Sequence, residues 1–166
     1  MSGARQVVVG IGNRFRCDDS AGLLVVDWLQ ERVAEPVELL RLEGEPTALV
    51  DIFDSSELVI LVDAVAIASA AGLVLRFDAS DEPVPGSVFG ASTHAFSLCE
   101  TIELARMLGK LRARVLVYGI TGEDFNAGER LSESVAEAVP RAGGQILRDL
   151  AEWQSPAPEL KGASDA

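Results

Sequence analysis

Short apolar runs alternate along the chain with segments whose apolar residues are spaced as on a helix. Four runs are typical of strands, because they are short and rich in Val, Leu and Ile: Val7–Val9, Leu58–Val62, Leu73–Phe77 and Val115–Ile120. A fifth strand is predicted over Val37–Leu42, where polar and apolar residues alternate. Leu58–Val62 is apolar throughout, and Val115–Ile120 is predicted to be a further buried strand. A wholly apolar run is typical of strands covered on both faces of a sheet.

Four segments have helical spacing. The first follows Asp18 and Asp19 and places five apolar residues on one face: Ala21, Leu24, Val25, Trp28 and Leu29. The others are a short helix over Pro46–Phe53, a helix from about Phe96 to Leu108 that ends at Gly109, and a long one that starts near Ser132. The last buries Val135, Val139, Ile146 and Leu150. Its Pro140 must either kink it or begin its second half.

Strands that alternate with helices predict an α/β fold. We expect a single three-layer domain over residues 1–152, with a mostly parallel twisted sheet of about five strands and helices on both faces. Residues 153–166 are rich in Ser, Pro and Ala and predict a flexible tail. The stretch from Asp78 to Thr93 predicts a loop without clear structure, which is either functional or disordered.

Composition and charge narrow the function classes. The chain has 166 residues and a net charge of −12, which disfavours binding to nucleic acid or to anionic membrane surfaces. It has no apolar run of the roughly 18 residues that a membrane helix needs. The N-terminus lacks the features of a signal peptide, so we expect a cytoplasmic protein. Two cysteines, Cys17 and Cys99, cannot form a disulfide framework.

In a parallel sheet, ligands bind beyond the carboxyl ends of the strands, so the strand exits are where a site is expected. Gly10-Ile11-Gly12 follows the first strand and begins like a dinucleotide-binding loop. The third glycine position of that motif is Phe15, and the helix starts several residues too late. Nucleotide binding is therefore disfavoured.

Three polar residues follow strands or the long loop: Asp19, Asp63 and His94. Each alone has a plain structural interpretation, since Asp19 could cap a helix and His94 could cap a helix or lie in the core. Asp63 is harder to explain in this way, because an apolar strand leads straight into it. Together, two carboxylates and one imidazole suit a divalent transition metal in an open site. His94 is the only histidine, which excludes mechanisms that need two.

The segment Gly10-Ile11-Gly12-Asn13-Arg14-Phe15-Arg16-Cys17-Asp18-Asp19-Ser20-Ala21-Gly22 resembles the opening motif of the hydrogenase maturation proteases. The resemblance continues through Leu61-Val62-Asp63-Ala64, Ser92-Thr93-His94 and Tyr118-Gly119-Ile120 to Leu131-Ser132. These endopeptidases remove the C-terminal extension from the large-subunit precursor of nickel–iron hydrogenase. The chain departs from the family at Ser20, where many relatives have glycine, and at Glu43–Thr47, a segment that is often rich in Gly and Thr and is expected to face the substrate.

The resemblance implies a catalytic and metal-contacting set of Asp19, Asp63 and His94. It also implies that the substrate precursor brings the nickel, for which zinc or cadmium can substitute in vitro. The metal would serve as a recognition tether or as a Lewis acid, and a carboxylate could act as general base. Arg14, Arg16 and the loop Asp78–Thr93 are candidates for gripping the peptide, with a solvated surface as the alternative for the arginines.

Three other interpretations stay open at this point. A cysteine protease could use Cys17 or Cys99 with His94. A phosphoacceptor receiver domain would share the acidic pair after the first strand and the aspartate after the third, but the chain has only Lys110 and Lys161 and neither ends the Val115–Ile120 strand. A relative that binds its partner without cleaving it is the third.

Overall fold

A five-stranded sheet organises the chain in the computed structural model, which describes residues 4–34, 36–67, 70–89 and 97–154. The strands are β1 (Gln6–Ile11), β2 (Val37–Leu42), β3 (Leu58–Val65), β4 (Val74–Asp78) and β5 (Arg114–Thr121). Their order across the sheet is β2-β1-β3-β5-β4, with β4 antiparallel to β5 and all other pairs parallel. The predicted α/β class and the mostly parallel sheet of five strands are confirmed.

The direction of β4 follows from the length of its connection. Only residues 66–73 separate β3 from β4, whereas a parallel crossover needs about a dozen residues or more. The chain therefore turns back and pairs with the outer side of β5, where the Thr121 Oγ1 accepts the Leu73 N–H at 2.8 Å. The sequence predicted a mostly parallel sheet but did not indicate which strand would run the other way.

Helices cover both faces of the sheet. Their bounds are α1 (Ala21–Leu29), α2 (Leu49–Asp54), α3 (Gly86–Phe89), α4 (Leu98–Met107) and α5 (Glu133–Gln154), with 3-10 turns at Cys17–Ser20 and Pro46–Ala48. One apolar cluster joins α1 and α5 to the sheet, and a second joins α2 and α4 to its other face. Successive residues of β3 point to opposite faces of the sheet and so pack in different clusters. Ile60 and Val62 lie in the first cluster, and Val59 and Leu61 lie in the second.

Local sequence sets both ends of α4. The Ser97 Oγ accepts the Glu100 N–H at 3.1 Å and the Glu100 carboxylate accepts the Ser97 N–H, which is a capping box. The helix therefore begins at Leu98, two residues after the predicted start. At the other end, Gly109 has φ 67° and the Lys110 N–H donates to the Ala105 carbonyl at 2.9 Å, so the predicted glycine cap is confirmed.

Two predicted segments differ from the structure. Asp78 ends β4, and the stretch after it contains the one-turn helix α3, so it is not wholly irregular. The Arg106 guanidinium donates to the carbonyls of Ala79 and Ser80 at 2.6 and 2.9 Å, which holds the start of this stretch against α4. Residues 90–93 of the predicted loop lie outside the described residues.

Helix α5 continues past Pro140 as one element. Pro140 is exposed, so the carbonyl that loses its helical donor can bond to water. The helix also includes Trp153 and Gln154, which the sequence assigned to the tail, while residues 155–166 lie outside the description. Among the described residues, no helix is long and apolar enough to cross a membrane.

The α1–α5 contact provides a stability prediction with a matched control. A Cβ at Gly143 would lie 2.2 Å from the Trp28 ring, whereas a Cβ at Gly144 would meet nothing within 4 Å. Gly143→Ala should therefore lower the free energy of unfolding by about 1–3 kcal/mol through overpacking. Gly144→Ala should raise it by about 0.5–1 kcal/mol through helix propensity. Equal effects of the two variants in urea denaturation would contradict the described packing.

Candidate active site

The backbone of α1 lies directly against the carboxyl ends of β1 and β3. A Cβ at Gly22 would lie 2.3 Å from the Val62 carbonyl oxygen and 2.5 Å from that of Ile11. A Cβ at Gly10 would lie 2.3 Å from the Gly22 carbonyl oxygen. No side chain fits in either space. The glycines of the opening motif thus allow close packing of helix on sheet, and they do not form the third-glycine loop that a dinucleotide requires.

The loop between β1 and α1 folds back on itself. A Cβ at Gly12 would lie 2.0 Å from the Asp19 carbonyl oxygen, so only glycine permits this approach. Cys17 has φ 48°, in the left-handed region that non-glycine residues seldom adopt. Its N–H donates to the Gly128 carbonyl at 2.8 Å and its carbonyl accepts the buried Ser20 hydroxyl at 2.8 Å, which hold this conformation in place.

Asp18 is fully buried and serves the structure of this loop. Its carboxylate accepts the N–H groups of Glu123, Asp124 and Ser132 at 2.9, 2.9 and 2.8 Å, and the Ser132 hydroxyl at 2.7 Å. Burial alone raises the pKa of this carboxyl, but the hydrogen bonds outweigh it and the pKa lies below its ordinary value. Asp18 is therefore an ionised anchor between two loops.

Asp19 occupies the same 3-10 turn but is partly exposed. Its N–H donates to the Arg16 carbonyl at 3.0 Å and its carbonyl accepts the Asn13 N–H at 3.3 Å. These bonds, with the close approach of Gly12, fix the backbone of Asp19 at the carboxyl edge of the sheet. The two adjacent aspartates therefore differ, since Asp18 is fully buried and Asp19 is partly exposed.

Asp63 lies inside β3, which continues to Val65, and so it does not end the strand as its sequence predicted. Asp63 nevertheless lies at a carboxyl edge of the sheet on the side that faces β1. The β1–β3 pairing stops at Gly10 opposite Val62, while β5 continues beside Asp63 with Gly119 as its register partner. Asp63 therefore lies where β1 no longer pairs with β3, next to the loop that carries Asp19.

The two carboxylates of Asp19 and Asp63 interact. Asp63 is only partly accessible to solvent and lies deep among protein atoms. This burial, and next to it the negative charge of Asp19, raise the pKa of Asp63 well above its ordinary value, against a smaller opposing effect of the Ala64 N–H. Two like charges in a poorly hydrated place favour a proton or a cation between them.

The donor chemistry of this pair fits a divalent cation, because carboxylate oxygens are ligands for such ions and a cation would offset the repulsion between the two acids. Within the part of the chain that the structure describes, no group of three or more His, Cys, Asp or Glu side chains could hold a metal ion. Asp19 and Asp63 therefore supply two donors, and a complete site needs others.

His94, the third predicted site residue, lies outside the described residues, so its place in the site stays a prediction. The proposed peptide contacts Arg14 and Arg16 lie on the loop beside Asp19. The Arg14 side chain lies 3.6 Å from the Asp27 carboxylate, and the Arg16 Nε donates to the Phe125 carbonyl at 3.3 Å. Phe15, between them, is 62% exposed.

Neither cysteine has the surroundings of a nucleophile. Cys17 is buried, and its Sγ would lie 3.1 Å from a Cβ placed on Gly128. The Cys99 thiol donates to the Val84 carbonyl at 2.9 Å, and burial, followed by the charges of Glu103 and Glu100, raises the pKa of this thiol. A raised pKa suppresses the thiolate that attacks a carbonyl.

Sequence reasoning missed the role of Asp18 and its partner Ser132. Ser132 appeared only as the start of the last helix and as part of a family motif. The two residues are far apart in the chain, and adjacent aspartates give no sign of which one is buried. A glycine at position 122, where a Cβ would lie 3.0 Å from the Asp18 Cβ, was a faint signal of a close approach.

Comparison with known proteins shows which family this chain is similar to. A family model described as hydrogenase maturation protease matches residues 23–149. The hydrogenase expression/formation protein HupD of Rhodobacter capsulatus is 26% identical over 154 residues, which cover 90% of this chain and 72% of HupD. The hydrogenase 2 maturation protease of Escherichia coli K12 is 26% identical, with 89% of this chain and 92% of that protein covered.

Solved structures show the same fold. The hydrogenase maturating endopeptidase HybD from E. coli superposes with a TM-score of 0.77 at 24% identity, covering 90% of this chain and 94% of that one. The [NiFe] hydrogenase maturation protease HycI from Thermococcus kodakarensis KOD1 has a TM-score of 0.70 at 27% identity, covering 90% and 95%. The family model and these similarities define an α/β endopeptidase.

More specifically, the chain belongs to the hydrogenase maturation protease family, as its match to the family model over most of its length shows. The resemblance drawn from the sequence is confirmed. The receiver-domain alternative is not favoured, because the relatives are proteases and the β5 exit carries Gly122 and Glu123 in place of a lysine.

The raised pKa of Asp63 predicts that wild type and Asp63→Asn differ in free energy of unfolding by an amount that depends on pH. Between the ordinary carboxyl pKa and the raised one, the folded protein binds more protons than the unfolded chain, so the stability contributed by this group falls as pH rises. Asp63→Asn removes the charge and keeps the volume. We expect this variant to exceed wild type in free energy of unfolding at pH 7 and to match it near pH 3.5.

Urea denaturation at several pH values measures this difference, with Asp81→Asn as the control because Asp81 is exposed. The control should follow wild type at every pH. An Asp63→Asn variant less stable than wild type at pH 7 would show instead that the charge of Asp63 stabilises the fold.

Proposed function

We propose that this chain removes the C-terminal extension from the large-subunit precursor of a nickel–iron hydrogenase. The observation that carries the proposal is the pair Asp19 and Asp63, two interacting carboxylates at the carboxyl edge of the sheet. Membership of the family supports the reaction class, and the printed names of HupD and of the [NiFe] hydrogenase maturation protease from Thermococcus support this kind of substrate. We expect the reaction to take place in the cytoplasm.

Nickel enters this proposal as part of the substrate. Asp19 and Asp63 would contact the nickel that the precursor carries, with His94 as a nitrogen donor on the strength of the sequence motif. Burial, and next to it the charge of Asp19, raise the pKa of Asp63. A cation held by the pair would offset the repulsion between the two carboxylates, so a nickel-loaded precursor would bind better than an empty one. In this way the protease would act only on a precursor that has received its metal.

Cleavage would use a carboxylate and a water molecule. Asp63 would be the general base, because burial, the larger cause of its raised pKa, makes its carboxylate a stronger base than an exposed one and does not depend on the charge of Asp19. In the proposed step, Asp63 takes a proton from water, the water oxygen attacks the scissile carbonyl carbon, and the proton passes to the leaving amine as the C–N bond breaks. No Ser or Cys nucleophile takes part.

The loop Asn13–Arg16 and the end of β2 would form the peptide-binding surface beside this pair. The two segments are joined, since the Gly12 N–H donates to the Leu42 carbonyl at 3.1 Å and the Arg14 N–H to the Glu43 carboxylate at 3.3 Å. Phe15 offers an exposed aromatic ring. Glu45 and Pro46 replace the small residues common in the family, so this surface should select a particular precursor.

Incubation with a nickel-loaded precursor tests the proposal through the mass of the product. Asp19→Asn, Asp63→Asn and His94→Ala should each lower the processing rate at least about 100-fold, the order of a general acid–base contribution. The exposed control Asp81→Asn and the double variant Cys17→Ala, Cys99→Ala should process at near the wild-type rate. Rapid cleavage by Asp63→Asn, or equal cleavage of precursor without nickel, would overturn the proposal.

A further inference from the structure

We propose that Asp18 is a positioning residue, which sets the place of Asp19 by binding the β1–α1 loop to the β5–α5 loop. This inference rests on the proposed function for its activity test, but the geometry behind it is separate. Asp18 is adjacent to a site residue, yet its carboxylate is fully buried and faces away from the site, toward residues 123–132.

The connection between the two loops involves more than one carboxylate. The Asp18 N–H donates to the Asp124 carbonyl at 2.9 Å while the Asp124 N–H returns to the Asp18 carboxylate. One residue earlier, the Cys17 N–H donates to Gly128, and the Gly128 N–H donates to the Phe15 carbonyl at 2.8 Å. The turn that contains Asp19 is thus held on the side away from the site by bonds to the β5–α5 loop.

The donors around Asp18 require an ionised carboxylate. Oδ2 accepts the Glu123 and Asp124 N–H groups and the Ser132 hydroxyl, and Oδ1 accepts the Ser132 N–H. All four bonds come from donors of the β5–α5 loop. An asparagine side chain has only one oxygen, so it could accept the donors at one of the two carboxylate oxygen positions. At the other position its NH2 group would face an N–H donor and could not accept a bond from it. The amide is nearly the same size, so Asp18→Asn disturbs the loop without adding volume.

Holding Asp19 matters because the site depends on where its charge lies relative to Asp63. The left-handed backbone of Cys17 and the close approach of Gly12 to the Asp19 carbonyl leave the loop few alternative conformations while it is anchored. When the anchor is weakened, the loop can relax. A displacement of about 1 Å in a reacting group can cost on the order of 100-fold in rate.

The molecule contains a matched control for this anchor. Asp149, on α5, is also a nearly buried carboxylate that accepts a hydroxyl, that of Tyr118, and it binds the Arg76 guanidinium at 3.0 and 3.1 Å. This second network joins β4, β5 and α5 and has no contact with the β1–α1 loop among the bonds described. Asp149→Asn is therefore the control for Asp18→Asn, and Tyr118→Phe, which also removes a hydroxyl donor, is the control for Ser132→Ala.

The test compares these four variants with wild type in two measurements at a temperature where each is folded. The first is the processing rate of nickel-loaded precursor. The second is amide hydrogen exchange in the free protein at Asp19 and Asn13, whose N–H groups are bonded within the loop. We expect Asp18→Asn to lose about 10–100-fold in rate and to exchange faster at both amides, with a smaller loss for Ser132→Ala.

The control variants separate positioning from general stability. Asp149→Asn and Tyr118→Phe should lower the melting temperature yet leave the rate and the exchange at Asp19 near wild type. If Asp18→Asn does not fold, the proposal is judged on Ser132→Ala, because this variant keeps every backbone N–H donor to Asp18. Wild-type rate and exchange in the decisive variant, or a loss no larger than that of its control, would overturn the proposal. If wild type leaves the precursor uncut, the proposed function fails, and amide exchange alone decides on Asp18.

Discussion

The contact between the backbone of α1 and the carboxyl ends of β1 and β3 is the constraint on which the site depends. Glycines at 10 and 22 bring helix and sheet to a separation that excludes any Cβ, and Gly12 lets the intervening loop pass directly over the Asp19 carbonyl. This approach carries Asp19 to the place where β1 has left the side of β3. Asp63 lies there, within β3, so the close packing of the α1 backbone on the sheet brings the two acids together.

Asp18 and Asp63 show how the surroundings of identical side chains determine their charge. Asp18 receives four hydrogen bonds and has a lowered pKa, while Asp63 is poorly hydrated, faces the charge of Asp19 and has a raised pKa. The first is stable as an anion and suited to hold two loops together. The second is costly as an anion and suited to receive a cation or a proton. The fold thus stabilises the charge of Asp18, which links two loops, and destabilises the charge of Asp63, for which we propose a role in cleavage.

Much of this arrangement could be predicted from the sequence. The alternation of apolar runs with helical spacing gave the α/β class, the bounds of β2 and the glycine cap of α4, because these depend on local patterns. The likeness of residues 10–22 to a family motif indicated the reaction. The direction of β4 was missed, although the short connection before it is visible in the sequence. Its pairing with β5 was not predictable, because that depends on which edge of the sheet is free. The role of Asp18 was also out of reach, because its partners are more than a hundred residues away.

The central claim is that Asp19 and Asp63 share one electrostatic site, and the most direct measurement is a carbon-13 NMR titration of the Asp63 carboxyl in wild type and in Asp19→Asn. In wild type the pKa should lie well above the ordinary value for aspartate. In Asp19→Asn it should fall, since the like charge is gone while burial remains. An Asp63 pKa that is ordinary in wild type, or that does not respond to the loss of the Asp19 charge, would contradict the account.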